Sequence, residues 1–337
     1  MSASRRLAGL ARAAVERLDL DLSGAVVLTE AATGAYAVTA SLAALSGADR
    51  VYALVGSSLH ADVDQARDET LGLAGDLGVA ARVEIVPGRS RAVVAQADVV
   101  TNSGRVRPID ADLIAWMKPT AVVPLMYEAW ELRAGDVDVS ACCRAGIAVA
   151  GTDERHPAVD VFGFLGVMAV RLLTDAGVAV HATRVLLLCD NPFAPFIEAG
   201  LTCMGAAVDL APALPRARTA RSYDAIVVAC RPRPEPVLAA EEAWAIADAW
   251  PDAVVAQFWG DVDRAACREA GVPVWPTVAP RPGHMGILPS AVGPDPVVRL
   301  QAAGLKVGEI LWRARRAGQS LADSLSALRA SGYGTLL

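Results

Sequence analysis

The sequence alternates along its whole length between short apolar runs and longer stretches with helical spacing. In the first half the apolar runs lie at residues 25–28, 51–55, 83–86, 98–101, 121–125 and 147–150. In the second half they lie at residues 184–188, 206–210, 225–229, 253–257 and 272–275. Such an alternation is typical of parallel sheets that are covered by helices on both faces. The chain is therefore predicted to be an α/β protein made of two Rossmann-like, doubly wound domains.

Two long apolar helices are predicted to connect these domains. One runs from about Pro157, which suits a first helical turn, to residue 176, and Gly177 suits its C-terminal cap. The other begins at Asp295-Pro296 and carries an apolar stripe as far as Leu311. The prediction is a first domain of residues 1–156 and 312–337, a second domain of residues 157–311, and a ligand cleft between them.

Charge and composition exclude several classes of protein. The net charge of −6, the absence of a basic stripe and the aromatic content of 5% argue against a nucleic-acid partner. No apolar stretch reaches the roughly 18 residues of a membrane span, and the N-terminus lacks the features of a signal peptide, so a cytoplasmic protein is expected. The six cysteines form no C-x-x-C pair and no metal-ligand spacing with histidine, which indicates reduced thiols and no metal site.

Polar side chains follow the predicted strands at their carboxyl ends, where open parallel sheets bind ligands. In the first half the candidate substrate-binding and catalytic residues at these ends are Asn102, Arg105, Tyr127, Glu128, Arg155 and His156. In the second half the candidates are Cys189, Asp190, Asn191, Phe193, Arg231, Trp259 and His284. Four of these residues are expected to converge on the predicted cleft: Glu128, Arg155, His156 and His284.

A simpler interpretation exists for many of these residues. Polar groups at strand ends often only cap the next helix or form a turn. Asp190 and Asn191 would do so for the helix that begins near Phe193. Both interpretations remain open at this point.

Several segments resemble the D-2-hydroxyacid dehydrogenases. Residues 137–149 match the family's Asp-containing helix and its Gly-Ile-x-Val strand, and the helix after Ala158 matches the exit from its catalytic domain. Residues 185–188 match the strand that opens its cofactor domain, and residues 260–263 and 284–286 match two later landmarks. The resemblance covers about residues 97–310. It implies a two-domain fold, an oxidoreductase activity with NADP or NAD, and a homodimer.

The phosphate-binding positions implied by the resemblance are substituted. The family's G-x-G-x-x-G is replaced by residues 189–194, Cys-Asp-Asn-Pro-Phe-Ala. The β-carbons at the first two glycine positions narrow the space for phosphates, and the charge of Asp190 repels them. The next strand ends at Ala211 instead of an acid for the ribose hydroxyls. Arg216 and Arg218 follow it and favour a cofactor with a 2′-phosphate, the alternative being a solvated loop.

The catalytic positions are also altered. His284 matches the family's general acid/base and is the predicted catalytic residue, together with Glu128. Trp259 replaces the family's substrate-binding arginine, and the segment with the histidine's acidic partner is missing. In place of a glycine-rich turn, residues 126–131 bring two acids and two aromatic rings, which predicts a substrate with an amine or cationic group. The alternative is that Tyr127 and Trp130 only cover a loop.

Three functions are compatible with these residues. The first is an NAD(P)-dependent oxidoreductase that acts on a specialised small molecule, such as an amino or imino acid. The second is a non-redox proton-transfer enzyme (a lyase, cyclase or isomerase) on the same scaffold. The third is a redox-inactive binding subunit.

Overall fold

The computed structural model describes residues 3–56, 62–133, 135–215 and 222–337. The chain divides into two compact units, one formed by Met1–Val161 with Pro294–Leu337 and the other by Phe162–Gly293. Arg216 and Arg218, which the sequence suggested for cofactor binding, lie outside the described residues.

Helices and strands alternate as the sequence predicted. The chain up to residue 161 forms α1 (Ala3–Arg17), β1 (Val26–Glu30), α2 (Val38–Leu45), β2 (Arg50–Leu54), α3 (Val63–Asp76), β3 (Val83–Val86), α4 (Arg91–Val94), β4 (Val99–Val100), α5 (Ala111–Ile114), β5 (Val122–Pro124), α6 (Val139–Ala145) and β6 (Ala148–Thr152). The second unit forms α7 (Leu165–Asp175), β7 (Arg184–Leu188), α8 (Ala194–Cys203), β8 (Ala207–Ala211), β9 (Ala225–Ala229), α9 (Ala240–Ala249), β10 (Val254–Trp259), α10 (Arg264–Glu269) and β11 (Val274–Trp275). The chain then returns to the first unit as α11 (Asp295–Arg316), α12 (Leu321–Ser331) and β12 (Gly334–Thr335).

The first unit is built on a sheet that, within the described ranges, has the order β12-β6-β5-β4-β1-β2-β3. The strands β1 to β6 are parallel, and β12 pairs with β6 in the antiparallel sense. The strand order reverses at β1, which lies between β2 and β4. A crevice is therefore expected beyond the carboxyl ends of β1 and β4.

The second unit has a parallel sheet of order β11-β10-β9-β7-β8 over the part of the chain that is described. Here the order reverses at β7, which lies between β8 and β9. The corresponding crevice is beyond the carboxyl ends of β7 and β9. The two sheets confirm the predicted fold class of two doubly wound α/β domains.

Helix α11 packs on the sheet of the first unit, which differs from the predicted domain boundaries. Its buried residues, among them Val298, Ala302 and Leu305, belong to the first unit's core. A glycine at position 308 allows this close approach, because a β-carbon there would lie 2.8 Å from Val99 Cγ1. Residues 294–311 thus belong with the first unit and not with the second.

The first predicted connecting helix also starts later than expected. Asp160 has a positive φ of 50°, a conformation that interrupts a helix, and a short 3₁₀ turn at Phe162–Phe164 precedes α7. Residues 157–161 consequently stay with the first unit. Among the described helices, none is both long and apolar enough to cross a membrane.

Helices α7 and α8 touch through glycine. A β-carbon on Gly166 would lie 2.7 Å from Gly200 Cα and 2.8 Å from the carbonyl oxygen of Phe196. These neighbours are backbone atoms, which cannot rotate away as a side chain can.

We expect Gly166→Ala to lower the free energy of unfolding by about 2 kcal/mol, because the added methyl group forces the two helices apart. Gly72→Ala is the matched control, since Gly72 lies in α3 with no described atom within 4 Å of the added carbon. That variant should be as stable as the wild type or more stable by up to about 1 kcal/mol. Urea denaturation followed by circular dichroism measures both, and equal stabilities for the two variants would contradict the contact.

Candidate functional site

Three hydroxyl groups meet at the crevice of the first unit. Thr101 Oγ1 donates to Thr29 Oγ1 at 2.9 Å and lies 2.6 Å from Ser103 Oγ. The side chains come from the carboxyl ends of β1 and β4 and are buried. They form a polar floor at the place where a parallel sheet binds ligands.

Asn102 joins the ends of β4 and β5. Its Oδ1 accepts a hydrogen bond of 2.8 Å from the backbone N–H of Met126. The side chain is 1% exposed, and its Nδ2 has no hydrogen-bond partner among the described residues. A buried amide with an unused donor is costly. The predicted substrate residue Asn102 is therefore placed at the strand ends with the NH2 group of its amide available as a donor.

Arg105 lies beside Glu30 at the same crevice. Glu30 accepts a hydrogen bond of 3.1 Å from the Arg105 backbone N–H. Gly104 between them is required, because a β-carbon there would overlap the Glu30 carboxylate. Burial raises the pKa of Glu30, although the Arg105 N–H and the nearby Arg107 and Arg105 guanidinium groups oppose this rise.

A cluster of three glutamates follows strands β5 and β6: Glu128 and Glu154, which are buried, and Glu131, which is half-buried. Glu128 is fully buried, and its Oε1 accepts a hydrogen bond of 3.2 Å from the backbone N–H of Glu154. A hydrogen bond from the Trp130 side chain also reaches the Glu128 carboxyl group and opposes the rise of its pKa. Burial raises the pKa of Glu128 to about 7 and that of Glu131 to about 8, and it also raises the pKa of Glu154. Near neutral pH the three carboxyl groups consequently share protons.

Arg155 lies at the edge of this glutamate cluster. Its Nε is 3.6 Å from Glu128 Oε1 and 3.5 Å from Asp153 Oδ1. The Arg155 side chain is 47% exposed, so water screens its charge. This explains why the pKa of Glu128 stays high beside a cation, since burial and the Asp153 carboxylate outweigh the pull of Arg155.

Tyr127 points to a different set of partners. Its hydroxyl donates to Asp136 Oδ2 at 2.7 Å, and Arg107 Nη1 lies 2.9 Å from the same oxygen. The guanidinium of Arg133 lies 5.7 Å from the centre of the Tyr127 ring. Burial, followed by the Asp136 hydrogen bond, raises the pKa of Tyr127 well above its ordinary value. Its hydroxyl therefore stays protonated and fixes the loop after β5.

His156 also has structural partners. Its Nδ1 accepts a hydrogen bond of 3.2 Å from the backbone N–H of Ala158. Its ring stacks on Tyr333 with 4.1 Å between ring centres. Tyr333 directly precedes β12. The contact with His156 therefore helps to hold the C-terminal segment at the edge of the sheet, where β12 pairs with β6.

The loop after β7 in the second unit is held by its own side chains. Asp190 Oδ1 accepts from the Arg231 backbone N–H at 2.8 Å, and Arg233 Nη2 lies 2.5 Å from Asp190 Oδ2. Asn191 Nδ2 donates to the Ala229 carbonyl oxygen at 2.6 Å. Both side chains thus extend from the end of β7 to the end of β9, across the crevice.

The thiols near this loop are neutral. Burial raises the pKa of Cys189 to about 11 and that of Cys230 to about 12. Because the thiolate is the reactive form of cysteine, neither group is prepared as a nucleophile.

The loop that carries His284 is fixed at the end of β10. The indole N–H of Trp259 donates to the Gly283 carbonyl oxygen at 3.1 Å. The Gly283 N–H donates to Asp261, with 3.2 Å to Oδ1 and 3.3 Å to Oδ2. Trp259 also packs on the buried Phe193, with 5.4 Å between ring centres. His284 is half-buried and directly follows Gly283, whose N–H and carbonyl groups are both hydrogen-bonded.

The β7 loop does not fit the pyrophosphate of a dinucleotide in the usual pose. That pose needs glycine at the first two conserved positions, so that phosphate can approach the backbone. Here Cys189 and Asn191 occupy these positions, the Asn191 side chain crosses the crevice, and the carboxylate of Asp190 adds negative charge. For a metal, the described ranges contain no group of three His, Cys, Asp or Glu side chains that could hold an ion.

The structure brings some of the predicted residues together and separates others within each unit. Glu128 meets Arg155, and Asp190 and Asn191 meet the end of β9, whereas Tyr127 and His156 turn to structural partners. The sequence interpretation did not select Glu154, Arg233 and Asp261 as functional residues, and it used Glu131 only as one of the two acids in residues 126–131. Glu154 could have been selected from the sequence, because it lies just after the end of β6 and beside Arg155.

We expect Glu128→Gln to weaken the pH dependence of stability. The raised pKa of Glu128 means that its contribution to stability is complete below its ordinary pKa of 4.5 and is lost as the pH rises to about 7. An amide stays neutral over this range. The free energy of unfolding, measured by urea denaturation, should fall less between about pH 5 and about pH 8 for the variant than for the wild type.

Glu84→Gln serves as the control, because the Glu84 side chain is 54% exposed in the same unit. It should behave like the wild type. A loss of stability in Glu128→Gln as large as in the wild type would show that Glu128 is ionised in the folded protein throughout this range.

Comparison with known proteins places the fold. Neither a scan against protein-family models nor a search of curated proteins gave a match. Among solved structures the chain is similar to the A chain of dipicolinate synthase from Bacillus subtilis, with a TM-score of 0.54, 12% identity, and coverage of 89% of this chain and 100% of that chain. The corresponding dipicolinate synthase chain from Bacillus halodurans has a TM-score of 0.50, 12% identity, and coverage of 84% and 96%. A weaker likeness, with a TM-score of 0.45, 12% identity, and coverage of 76% and 92%, is to the NAD-dependent formate dehydrogenase of Staphylococcus aureus. The chain thus shares the fold of the dipicolinate synthase A chains, which agrees with the two-domain α/β fold that the sequence resemblance implied.

Proposed function

We propose that this chain is an oxidoreductase that works with a nicotinamide dinucleotide, NADP or NAD, on a small molecule with an amine or imine nitrogen. The observation that supports this proposal most is the fold, which spans the whole length of the dipicolinate synthase A chain. The altered residues at the strand ends then define the kind of substrate.

The glutamate cluster supports a nitrogen-bearing substrate. Glu128 and Glu154 are buried, and Glu131 Oε1 is a buried atom with no hydrogen-bond partner within the described ranges. Buried, unpaired carboxylate oxygens favour a protonated nitrogen or an N–H donor as their partner. A carboxyl group with a pKa of about 7, such as Glu128, can also accept or give a proton at neutral pH.

His284 is the proposed proton-transfer group of the second unit. Asp261 and Trp259 hold the N–H and the carbonyl of Gly283, so the backbone that carries the imidazole is fixed on both sides. A fixed histidine at the carboxyl edge of a parallel sheet is suited to general acid/base catalysis.

The crevice beyond β7 and β9 favours a second candidate, a proton-transfer enzyme without hydride chemistry. Asp190 and Asn191 close the place where pyrophosphate usually lies. In such an enzyme Glu128 would move protons on a substrate bound by the first unit, and the second unit would hold no dinucleotide.

Titration with NADPH and NADH separates the two candidates. We expect the oxidoreductase to bind one of them below millimolar concentration, with a change in tryptophan fluorescence that Trp259→Phe reduces, because Trp259 lies at the carboxyl end of β10. Trp244→Phe is the control, since Trp244 is 56% exposed on a helix and should not affect the change. Absence of binding for both dinucleotides, checked by calorimetry, would reject the oxidoreductase.

We also propose that the chain forms a homodimer, as the family resemblance implies. Light scattering coupled to size exclusion should give twice the mass of the 35.0 kDa chain. The mass of a single chain over the whole concentration range would refute this proposal.

A further inference from the structure

The carboxylate of Asp190 occupies an anion-binding position in the second unit. It accepts hydrogen bonds from the Arg231 backbone N–H at 2.8 Å and from the Arg233 guanidinium at 2.5 Å. A backbone N–H and a guanidinium are also the donors that proteins use for phosphate oxygens. The carboxylate therefore sits where an external anion would find its partners.

The position in the fold gives this pair its significance. Asp190 follows β7, and Arg231 and Arg233 follow β9, so the pair spans the point at which the strand order reverses. Ligands of open α/β sheets bind at that point. A surface ion pair elsewhere on the molecule would carry no such implication.

The ion pair between Asp190 and Arg233 is partly exposed to solvent. The Asp190 side chain is 18% exposed and that of Arg233 is 51% exposed, so the arginine is within reach of solvent. Burial of Asp190 opposes its ionisation, but the hydrogen bonds from Arg231, Arg233 and Asn191 outweigh this effect and lower its pKa. The carboxylate is thus charged at neutral pH and competes with any anion for the same donors.

We propose that Asp190 is an internal substitute for a phosphate group, and that a phosphate-bearing ligand binds this crevice by taking over Arg233 and the Arg231 N–H from Asp190. The inference deepens the proposed function and rests on it only in its choice of NADPH as ligand. Recognition would then depend on an arginine, in place of the close backbone approach that a glycine loop provides.

The test measures binding of inorganic pyrophosphate and of NADPH by calorimetry to the full chain. In Asp190→Asn the competing charge is lost while the shape is kept, so pyrophosphate should bind roughly tenfold more tightly than to the wild type. In the double variant Asp190→Asn with Arg233→Ala, that gain should disappear. Thermal denaturation verifies that each variant is folded.

Asp209→Asn is the matched control. Asp209 is also paired with an arginine, Arg184, in the same unit, but it lies within β8, away from the end of the strand. Its affinity for pyrophosphate should equal that of the wild type. Equal affinities of Asp190→Asn and the wild type, or a gain that persists without Arg233, would overturn the inference.

The NADPH arm separates this inference from the proposed function. If Asp190→Asn binds both pyrophosphate and NADPH more tightly than the wild type does, the inference is supported and the dinucleotide is identified as the ligand. A gain for pyrophosphate alone, with no NADPH binding to either protein, supports the anion site and rejects the oxidoreductase. NADPH binding to the wild type that Asp190→Asn leaves unchanged supports the oxidoreductase and overturns the role of Asp190.

Discussion

Desolvation of charged groups at the ends of parallel strands governs the chemistry of this protein. Parallel pairing places the carboxyl ends of neighbouring strands at one edge, so acids that follow different strands become close neighbours. In the first unit this arrangement withdraws the carboxyl groups of Glu128, Glu131 and Glu154 from water and raises the pKa of all three. In the second unit the same arrangement brings Asp190 to Arg231 and Arg233, where pairing with donors keeps the acid ionised.

The fold could be predicted from the sequence because each strand is a short, continuous apolar run. Runs such as residues 184–188 and 225–229 became buried parallel strands with bounds close to those expected. The repetition of this alternation in both halves of the chain then indicated two domains, as the resemblance to the dehydrogenases also implied. The domain boundaries were harder to predict from the sequence. The glycines that let α11 approach the first sheet, such as Gly308, resemble ordinary breaks in a helical pattern.

The candidate site was only partly predictable, for a physical reason. Position at a strand end selects a residue, but its role depends on which partner its side chain reaches in three dimensions. Tyr127 and His156 stand at the expected ends, yet their polar atoms are engaged by Asp136 and by the Ala158 backbone. Conversely, Arg233 became relevant only through Asp190, which is 43 residues away along the chain.

The division of the chain also has a consequence for biosynthesis. The second unit is one continuous stretch, Phe162–Gly293, whereas the first unit needs both Met1–Val161 and Pro294–Leu337. Strand β6 gains its edge partner β12, and the first sheet its covering helix α11, only after the intervening residues have left the ribosome. Closing so long a loop costs little more entropy than closing a shorter one. The inserted unit can nevertheless be complete while the unit that surrounds it still lacks α11, α12 and β12.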